Sequence, residues 1–446
     1  MTHATRNLGL MALKKIPTAK AALGIVLFLG LATLFPAFVQ YLFSFILLLM
    51  VINGAWWRKN PAHPAIQHLH RGIAGYLSLM IVASVLSGTF GIHVLSFKDA
   101  VMVPLHFAVK NGLVWIVLFW GILSVTRREG VWSALFAGWL ALFSLNFIYL
   151  VVQRYTGIDL SHGIGAVLPA NRFAYGVYRV SGFTGHPLTL SFSLMTLLVT
   201  FLGLRLDPKL DWTRSEARLL SGLIGVVVAG LGVTGSRWPM FVALGSFILC
   251  EGARIRRWMW QLTAGACLAA GFLYWEKSIL GRFMELLQGN VPLEERFERL
   301  VFWKVHLKMF WDNPIYGVGL AASDAAKLQY YDALGYNKNI YNAHNVYLQT
   351  LADSGLIGFS GLLLFFAGFG VAIHRLAGAG GTKSLRYLLV SILLGALMQN
   401  SLRDSEYVFT VWFSLALVIS VMASKSKESL QVTHQRNDGR EPTQNI

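Results

Sequence analysis

Apolar segments of roughly bilayer length recur along this chain and limit the folds that are open to it. A helix needs about 20 mostly apolar residues to cross a membrane. Hydrophobic residues make up 55% of the sequence and charged residues 13%, whereas charged residues make up about 25% of an ordinary soluble protein. The sequence therefore predicts an all-α integral membrane protein with about 12 transmembrane helices, at residues 21–36, 38–55, 73–95, 105–125, 131–152, 183–204, 219–235, 238–253, 259–275, 355–374, 385–402 and 406–423.

The first two predicted spans are short and are divided only around Pro36. A proline kinks a helix, so one long kinked helix is an alternative to two separate spans. Residues 1–424 are predicted to form a single polytopic membrane domain. Residues 425–446 are polar and are predicted to form a disordered cytoplasmic tail.

Lysine and arginine residues are distributed unevenly between the two predicted sides of the membrane. With both termini in the cytoplasm, 23 of the 38 lie on the inner side, and every short inner loop is basic. Eight of the 15 outer ones lie in one long loop, and long segments cross membranes with less regard to charge. The pattern predicts that this loop faces outward. The net charge of +17 is then explained by lysines and arginines that orient the chain in the membrane and attract anionic headgroups or phosphates. Nucleic acid is not an expected partner.

The long polar loop, residues 276–345, separates the ninth and tenth predicted spans. Loops longer than about 12–15 residues are usually functional or disordered. Unlike a disordered linker, this loop contains many large apolar and aromatic residues, namely Phe297, Val301, Val305, Phe310, Trp311, Tyr316, Tyr330, Tyr331 and Tyr336. We therefore expect it to form a folded, partly helical cap with a catalytic or binding role.

Three helices are predicted within the loop. The first, residues 292–312, begins at a proline followed by acidic residues, repeats an apolar residue every four positions, and is stopped by a proline. The second runs over residues 323–335 with Ser323 as its N-cap. The third is short, begins near Asn342 and carries His344.

Several arginines and one histidine are predicted to share the outer face. Arg154, Arg172 and Arg179 lie between the fifth and sixth spans, Arg237 lies in the turn between the seventh and eighth, and His344 ends the long loop. An arginine at the bilayer boundary is costly without an anionic partner, and its guanidinium donates in pairs to phosphate. Taken singly, such an arginine is more often a membrane anchor, and such a histidine is more often a polar cap. Both interpretations stay open at this stage.

No metal site is predicted on the outer face, which has no Asp-x-Asp pair and no cluster of histidines. Asp404 and Glu406 lie close together near the last outer turn. We expect these carboxylates to orient or balance Arg403. No cofactor is expected.

Four short motifs occur in a fixed order between residues 179 and 360. The chain resembles the superfamily of bacterial O-antigen ligases and O-antigen polymerases in its Arg179 segment before Gly185-His186-Pro187, its Thr234-Gly235-Ser236-Arg237 turn, its Asn313-Pro314-Ile315-Tyr316-Gly317-Val318-Gly319 run, and its Ala343-His344-Asn345-Val346-Tyr347-Leu348 run followed by Gly355 and Gly358. One departure is His186, where many members have asparagine.

The resemblance implies a metal-independent glycosyltransferase of the Gram-negative inner membrane, with its active face in the periplasm. The donor would be a glycan on undecaprenyl diphosphate, and the acceptor would be lipid A–core oligosaccharide. Arg179 and Arg237 would stabilise the diphosphate, and His344 would act as the general base of an inverting transfer. Further donor or acceptor contacts are expected from Arg154, Arg172, Asn345, Tyr347, Arg403 and Asp404.

Other functions remain open at this stage. An O-antigen polymerase or a protein O-oligosaccharyltransferase would share the same superfamily and the same donor. The outer loop carries eight Lys and Arg residues, which favours the ligase because lipid A–core is phosphorylated. A bicarbonate or other small-anion transporter is an alternative of a different class. A transporter would place ionisable residues or broken helices near mid-membrane, and the predicted spans carry almost no charge at that depth.

Overall fold

The computed structural model describes scattered positions between residues 24 and 44 and then residues 64–90, 97–125, 131–163, 166–169, 172–174, 177–252, 298–320, 322–336, 342–376, 382–399, 402 and 404–425. Within these residues eleven α-helices have defined bounds: α1 (Pro64–Phe90), α2 (Phe97–Val125), α3 (Val131–Thr156), α4 (Pro187–Leu206), α5 (Arg214–Thr234), α6 (Arg237–Glu251), α7 (Glu298–Asp312), α8 (Ser323–Ala333), α9 (Val346–Arg375), α10 (Thr382–Ala396) and α11 (Ser405–Lys425).

Seven of these helices are long and apolar enough to cross a membrane: α1, α2, α3, α4, α5, α9 and α11. The helices α6 and α10 have 15 residues each and overlap two further predicted spans. The predicted spans 21–36 and 38–55 are described only at scattered positions, and 259–275 lies outside the described residues. The chain is thus a helical, multi-pass membrane protein, and the total of twelve spans stays a prediction.

A short β-hairpin occurs within this helical fold. Strands β1 (Phe173–Ala174) and β2 (Val177–Tyr178) form an antiparallel hairpin, in which Phe173 faces Tyr178. A backbone bond from Arg179 N to Arg172 O, 2.8 Å long, closes the open end of the hairpin. The hairpin therefore brings two of the predicted site arginines next to each other in the backbone.

The core lies around α4 and α11, because 89% of the membrane-length window of each is buried. The aromatic ring of Trp139 in α3 packs against Phe413 of α11 at 5.7 Å between centroids and against Phe201 of α4 at 6.3 Å. All three side chains are fully buried. Burial of aromatic rings on this scale fixes α3, α4 and α11 relative to one another.

Contacts between distant segments define the two ends of the helix bundle. At one end, Arg154 Nη1 of α3 donates to Val233 O of α5 at 2.8 Å, and Arg172 Nη2 donates to Gly185 O at 3.2 Å. We call this end of the bundle, which contains Arg154 and Arg172, the arginine end. At the opposite end, Lys383 pairs with Glu251 and Lys425 with Glu216. The sequence assigns both Lys383 and Lys425 to the inner side, and the structure places them at this same end.

Helix α9 is broken at Gly355, whose φ of 57° and ψ of −158° are non-helical. The break leaves backbone N–H and C=O groups of α9 without partners inside the helix. The loop segment 314–319 supplies their hydrogen-bond partners. Leu356 N donates to Pro314 O, and Ile357 N donates to Ile315 O. In the other direction, the backbone N–H groups of residues 318 and 319 donate to the carbonyls of residues 352 and 353 in α9. A Cβ on Gly355 would lie 2.4 Å from the carbonyl carbon of Ile315. Only glycine fits here, because the two backbones touch.

The described parts of the long loop, residues 298–320 and 322–336, are folded and pack against the first half of α9. The apolar stripe of α7 is confirmed where it is described, and it forms a separate core with residues of α8, of α9 and of the segment 314–319: Val301, Phe302, Val305, Met309, Val318, Ala326, Tyr331 and Ala352. Residues 292–297, the predicted start of α7, lie outside the described residues. The helix ends at Asp312, as predicted.

Two details of the predicted loop helices are wrong. Ser323 is not an N-cap, because the cap position is Ala322 and the Ser323 hydroxyl donates to Asp353 Oδ1 at 2.6 Å. His344 is not inside a short helix. The helix begins at Val346, and the side chain of Asn345 caps it by accepting from Leu348 N at 3.0 Å.

Candidate active site

His344 occupies a sharp turn immediately before α9. Its φ of 47° makes it the only described non-glycine residue in the left-handed region. Its Nδ1 lies 3.0 Å from Gln399 Oε1, beyond the end of α10, and its ring packs against Phe302 of α7 at 5.9 Å between centroids. Because Oε1 is an acceptor, Nδ1 carries the hydrogen and the lone pair is on Nε2. The tautomer thus makes Nε2 the basic atom.

Burial lowers the pKa of His344 below its ordinary value of 6.5, and the charge of Arg299 lowers it further. The hydrogen bond with Gln399 acts in the opposite direction and raises the pKa. The balance favours a neutral imidazole near pH 7. A neutral imidazole accepts a proton, which is what a general base must do.

His186 lies just before α4 and uses the opposite tautomer. Its Nδ1 accepts from Leu188 N at 3.2 Å and so caps α4, which leaves the hydrogen on Nε2. An asparagine at this position would have the same two abilities, since its side chain can accept at a cap and donate elsewhere. His186 is therefore suited to donate a hydrogen bond through Nε2.

The charges around His186 show which side chains share this site. Desolvation lowers the pKa of His186 most, although its side chain reaches the surface, and the charges of Arg172, Arg179 and His344 lower it as well. Asp404 raises it. The structure thus brings four predicted site residues within electrostatic range of this position: Arg172, Arg179, His344 and Asp404.

The last turn of α3 holds the segments that carry Arg179 and Arg237. Gln153 Oε1 accepts from Ser181 N at 3.1 Å and Gly182 N at 2.9 Å, which fixes the chain just after Arg179. The neighbouring Arg154 is buried and binds Val233 O at the end of α5. A cation at a helix C-terminus is favourable, so Arg154 has a structural role whatever else it binds.

Arg237 is the first residue of α6. It follows the left-handed Gly235, which ends α5 with φ 63°, and Ser236, whose hydroxyl makes no capping bond. The N-terminus of a helix favours anions, because its first N–H groups have no partner within the helix. The turn therefore places a guanidinium and a helix N-terminus at the arginine end together.

Asp404 and Glu406 hold α11 against the segment before α4. Asp404 accepts from the hydroxyl of Thr189 and from the backbone N of Glu406, and Glu406 Oε2 accepts from Gly185 N at 3.2 Å. Arg403, the expected partner of these carboxylates, lies outside the described residues. Their described contacts connect them to α4, a contact that sequence spacing does not indicate.

Asn345 and Tyr347 tie α9 to α10. Asn345 Nδ2 donates to Leu397 O at 3.1 Å, and the Tyr347 hydroxyl donates to Leu393 O at 3.0 Å. These bonds use polar atoms that were expected to bind substrate. A direct contact with donor or acceptor stays a prediction for both residues.

Sequence reasoning missed four contributors to this site: Arg299, Gln399, Gln153 and the capping function of His186. Arg299 Nη1 donates to Met398 O at 3.2 Å, which joins α7 to the chain beside Gln399. The available signals were weak, since a charged residue in a loop helix and a polar residue after a span are common. In the described part of the chain, no group of three or more His, Cys, Asp or Glu residues is placed to hold a metal ion.

Comparison with protein families adds an independent finding. Residues 210–366 match the model of the family described as O-antigen ligase. Comparison with curated proteins gives no match. The matched residues include Arg237, His344 and Gly355, whereas the hairpin arginines and His186 precede them. Over residues 210–366 the chain is therefore similar to the O-antigen ligase family, as its sequence motifs predict.

Proposed function

We propose that this protein transfers O-antigen polysaccharide from undecaprenyl diphosphate to lipid A–core oligosaccharide at the periplasmic face of the inner membrane. The observation that carries the proposal is the cluster at the arginine end. There, the charges of Arg172, Arg179 and His344 all lower the pKa of His186, and Arg172 Nη2 donates to Gly185 O beside it at 3.2 Å. The family match over residues 210–366 supports the reaction class.

The leaving diphosphate accumulates negative charge as its bond to the sugar breaks. Preorganised cations stabilise such charge best when they are already aimed at the site. In this proposal Arg179 and Arg237 bind the diphosphate, and Arg172 and the N–H of His186 border the same site. The hairpin and the α5–α6 turn hold these groups in place before the donor arrives.

The acceptor hydroxyl attacks the anomeric carbon as its proton passes to His344 Nε2. The bond between the anomeric carbon and the diphosphate oxygen breaks, and the electron pair leaves with the diphosphate. Direct attack from the opposite side inverts the anomeric centre. The bond from Nδ1–H to Gln399 Oε1 orients the ring and favours the imidazolium that forms.

Reconstitution tests the reaction and its independence of metal. The full-length protein, purified and placed in liposomes, is given undecaprenyl-diphosphate-linked glycan and lipid A–core. We expect glycan-bearing lipid A–core, seen as reduced gel mobility, and the same rate in EDTA. A strict requirement for added magnesium or manganese would contradict the arginine-based mechanism. Longer lipid-linked glycan without core product would instead identify a polymerase.

Labelling tests which face the site occupies. After Cys250 and Cys267 are replaced by serine, a single cysteine is introduced as Asp332→Cys in α8 or as Lys209→Cys at the opposite end. Both positions are exposed. A membrane-impermeant maleimide added to spheroplasts should label Asp332→Cys, while Lys209→Cys should react only after the membrane is opened. The reverse pattern would place the arginine end in the cytoplasm.

A further inference from the structure

The backbone at His344 is in a conformation that a non-glycine residue rarely adopts, with φ at 47°. Such a conformation is strained and persists only where neighbouring contacts enforce it. The contacts made by the residues on each side of His344 therefore hold the backbone turn from which its ring projects.

Ala343, the residue before His344, is fully buried and has both backbone groups bonded to side chains. Its N–H donates to Gln349 Oε1 at 2.9 Å, and its carbonyl accepts from Trp303 Nε1 at 3.0 Å. Gln349 is also fully buried. Water cannot replace the Gln349 bond there, so loss of this acceptor would leave a buried N–H unsatisfied.

Asp353 determines which way the Gln349 amide faces. Gln349 and Asp353 lie one helical turn apart in α9, and Gln349 Nε2 donates to Asp353 Oδ2 at 2.7 Å. A carboxylate only accepts, so Nε2 must face Asp353 and Oε1 must face Ala343 N. Asp353 is fully buried, and the hydroxyl of Ser323 in α8 donates to its Oδ1 at 2.6 Å.

We propose that Gln349, oriented by Asp353, is a positioning residue that fixes the left-handed turn at His344 and so aims its imidazole at the acceptor. The chain of bonds runs from Ser323 in the loop through Asp353 and Gln349 to Ala343. Its catalytic meaning rests on the proposed function, whereas its effect on the geometry of His344 does not.

A reversal of the donor and acceptor in this pair tests the proposal. In Gln349→Glu, two carboxylates meet at the distance of the present bond, and the turn should be disturbed. Adding Asp353→Asn restores a donor opposite the introduced carboxylate and leaves an acceptor for both Ala343 N–H and the Ser323 hydroxyl. The double variant thus has the same net charge as the natural pair, with the polarity of one bond reversed.

Transfer rates should follow this pattern. We expect kcat to fall about 10–100-fold in Gln349→Glu, the range seen when a group orienting a functional side chain is lost, with KM for the donor nearly unchanged. The double variant should recover most of kcat. Gln349→Met should lower kcat by a similar factor, and adding Asp353→Asn to that variant should not restore kcat.

A second readout does not need glycan transfer. Diethyl pyrocarbonate modifies accessible neutral imidazoles, and mass spectrometry of the His344 peptide gives the rate. We expect a changed His344 rate in Gln349→Glu and a normal rate in the double variant. Ser246→Ala, which removes a buried hydroxyl bonded within α6, is the matched control. It should alter neither readout.

The outcomes separate the two proposals. Rescue of His344 reactivity by the double variant in a protein without transfer activity would overturn the proposed function and keep the positioning role. Unchanged kcat and unchanged His344 reactivity in both Gln349→Glu and Gln349→Met would overturn the positioning role, whatever reaction the protein performs.

Discussion

Replacement of His344 by alanine is expected to slow glycan transfer by about 10²–10⁴-fold, the usual contribution of a general base. Binding of the lipid-linked donor should change far less, because the base contributes mainly in the transition state. Donor affinity and single-turnover rate are to be measured on the same purified variant. The matched control is His374→Ala, at the exposed far end of α9, which should keep full activity.

The pH dependence of the unmodified protein checks the same role. Burial lowers the pKa of His344 from 6.5, so the free base should predominate at pH 7. The rate should fall only as the pH falls below 6.5 and His344 becomes protonated.

Loss of donor affinity in His344→Ala, together with normal turnover of each bound donor, would make His344 a donor ligand and place the base elsewhere.

Conversion of Arg237 or Arg179 to lysine is expected to abolish most of the activity although the positive charge is kept. Lysine is a point charge, whereas arginine offers a planar pair of donors that matches phosphate oxygens. Loss of one such donor at a developing charge typically slows a reaction by about 10²–10³-fold. Turnover should be compared with Arg218→Lys, an exposed position at the opposite end.

Two results would count against this assignment. Full activity of both Arg237→Lys and Arg179→Lys would reduce these residues to membrane anchors. A similar loss in the Arg218→Lys control would show that any substitution of arginine destabilises the protein. Thermal unfolding in detergent, measured on each variant, separates a catalytic loss from a loss of folded protein.

Much of the architecture is visible in the sequence because hydrophobicity alone dictates it. Nine of the predicted spans overlap described helices, from residues 73–95 in α1 to residues 406–423 in α11. The apolar stripe of α7 is equally direct, since residues four apart share one face of a helix. Both signals are local, and the structure adds to them only the precise boundaries.

Contacts between distant segments explain what the sequence does not show. Ser323 has a side chain that commonly caps helices, but its hydroxyl instead donates a hydrogen bond to Asp353, thirty residues away. The stretch around His344 offers asparagines at 342 and 345 as caps, and local rules do not choose between them. Arginine and histidine motifs indicate the candidate site residues. The tautomer of His344, by contrast, depends on Gln399, which only the fold brings close.

The break at Gly355 also bears on how this protein is made. Residues 356–375 amount to 20 residues, which at about 1.5 Å per residue extend for the roughly 30 Å of a bilayer core. This second half of α9 is thus sufficient for insertion, whereas the first half contains the buried Asp353 and needs residues 314–319 to complete its backbone bonds. We therefore expect biogenesis in two stages, with lateral release of residues 356–375 into lipid preceding the docking of residues 346–354 against α7 and residues 314–319.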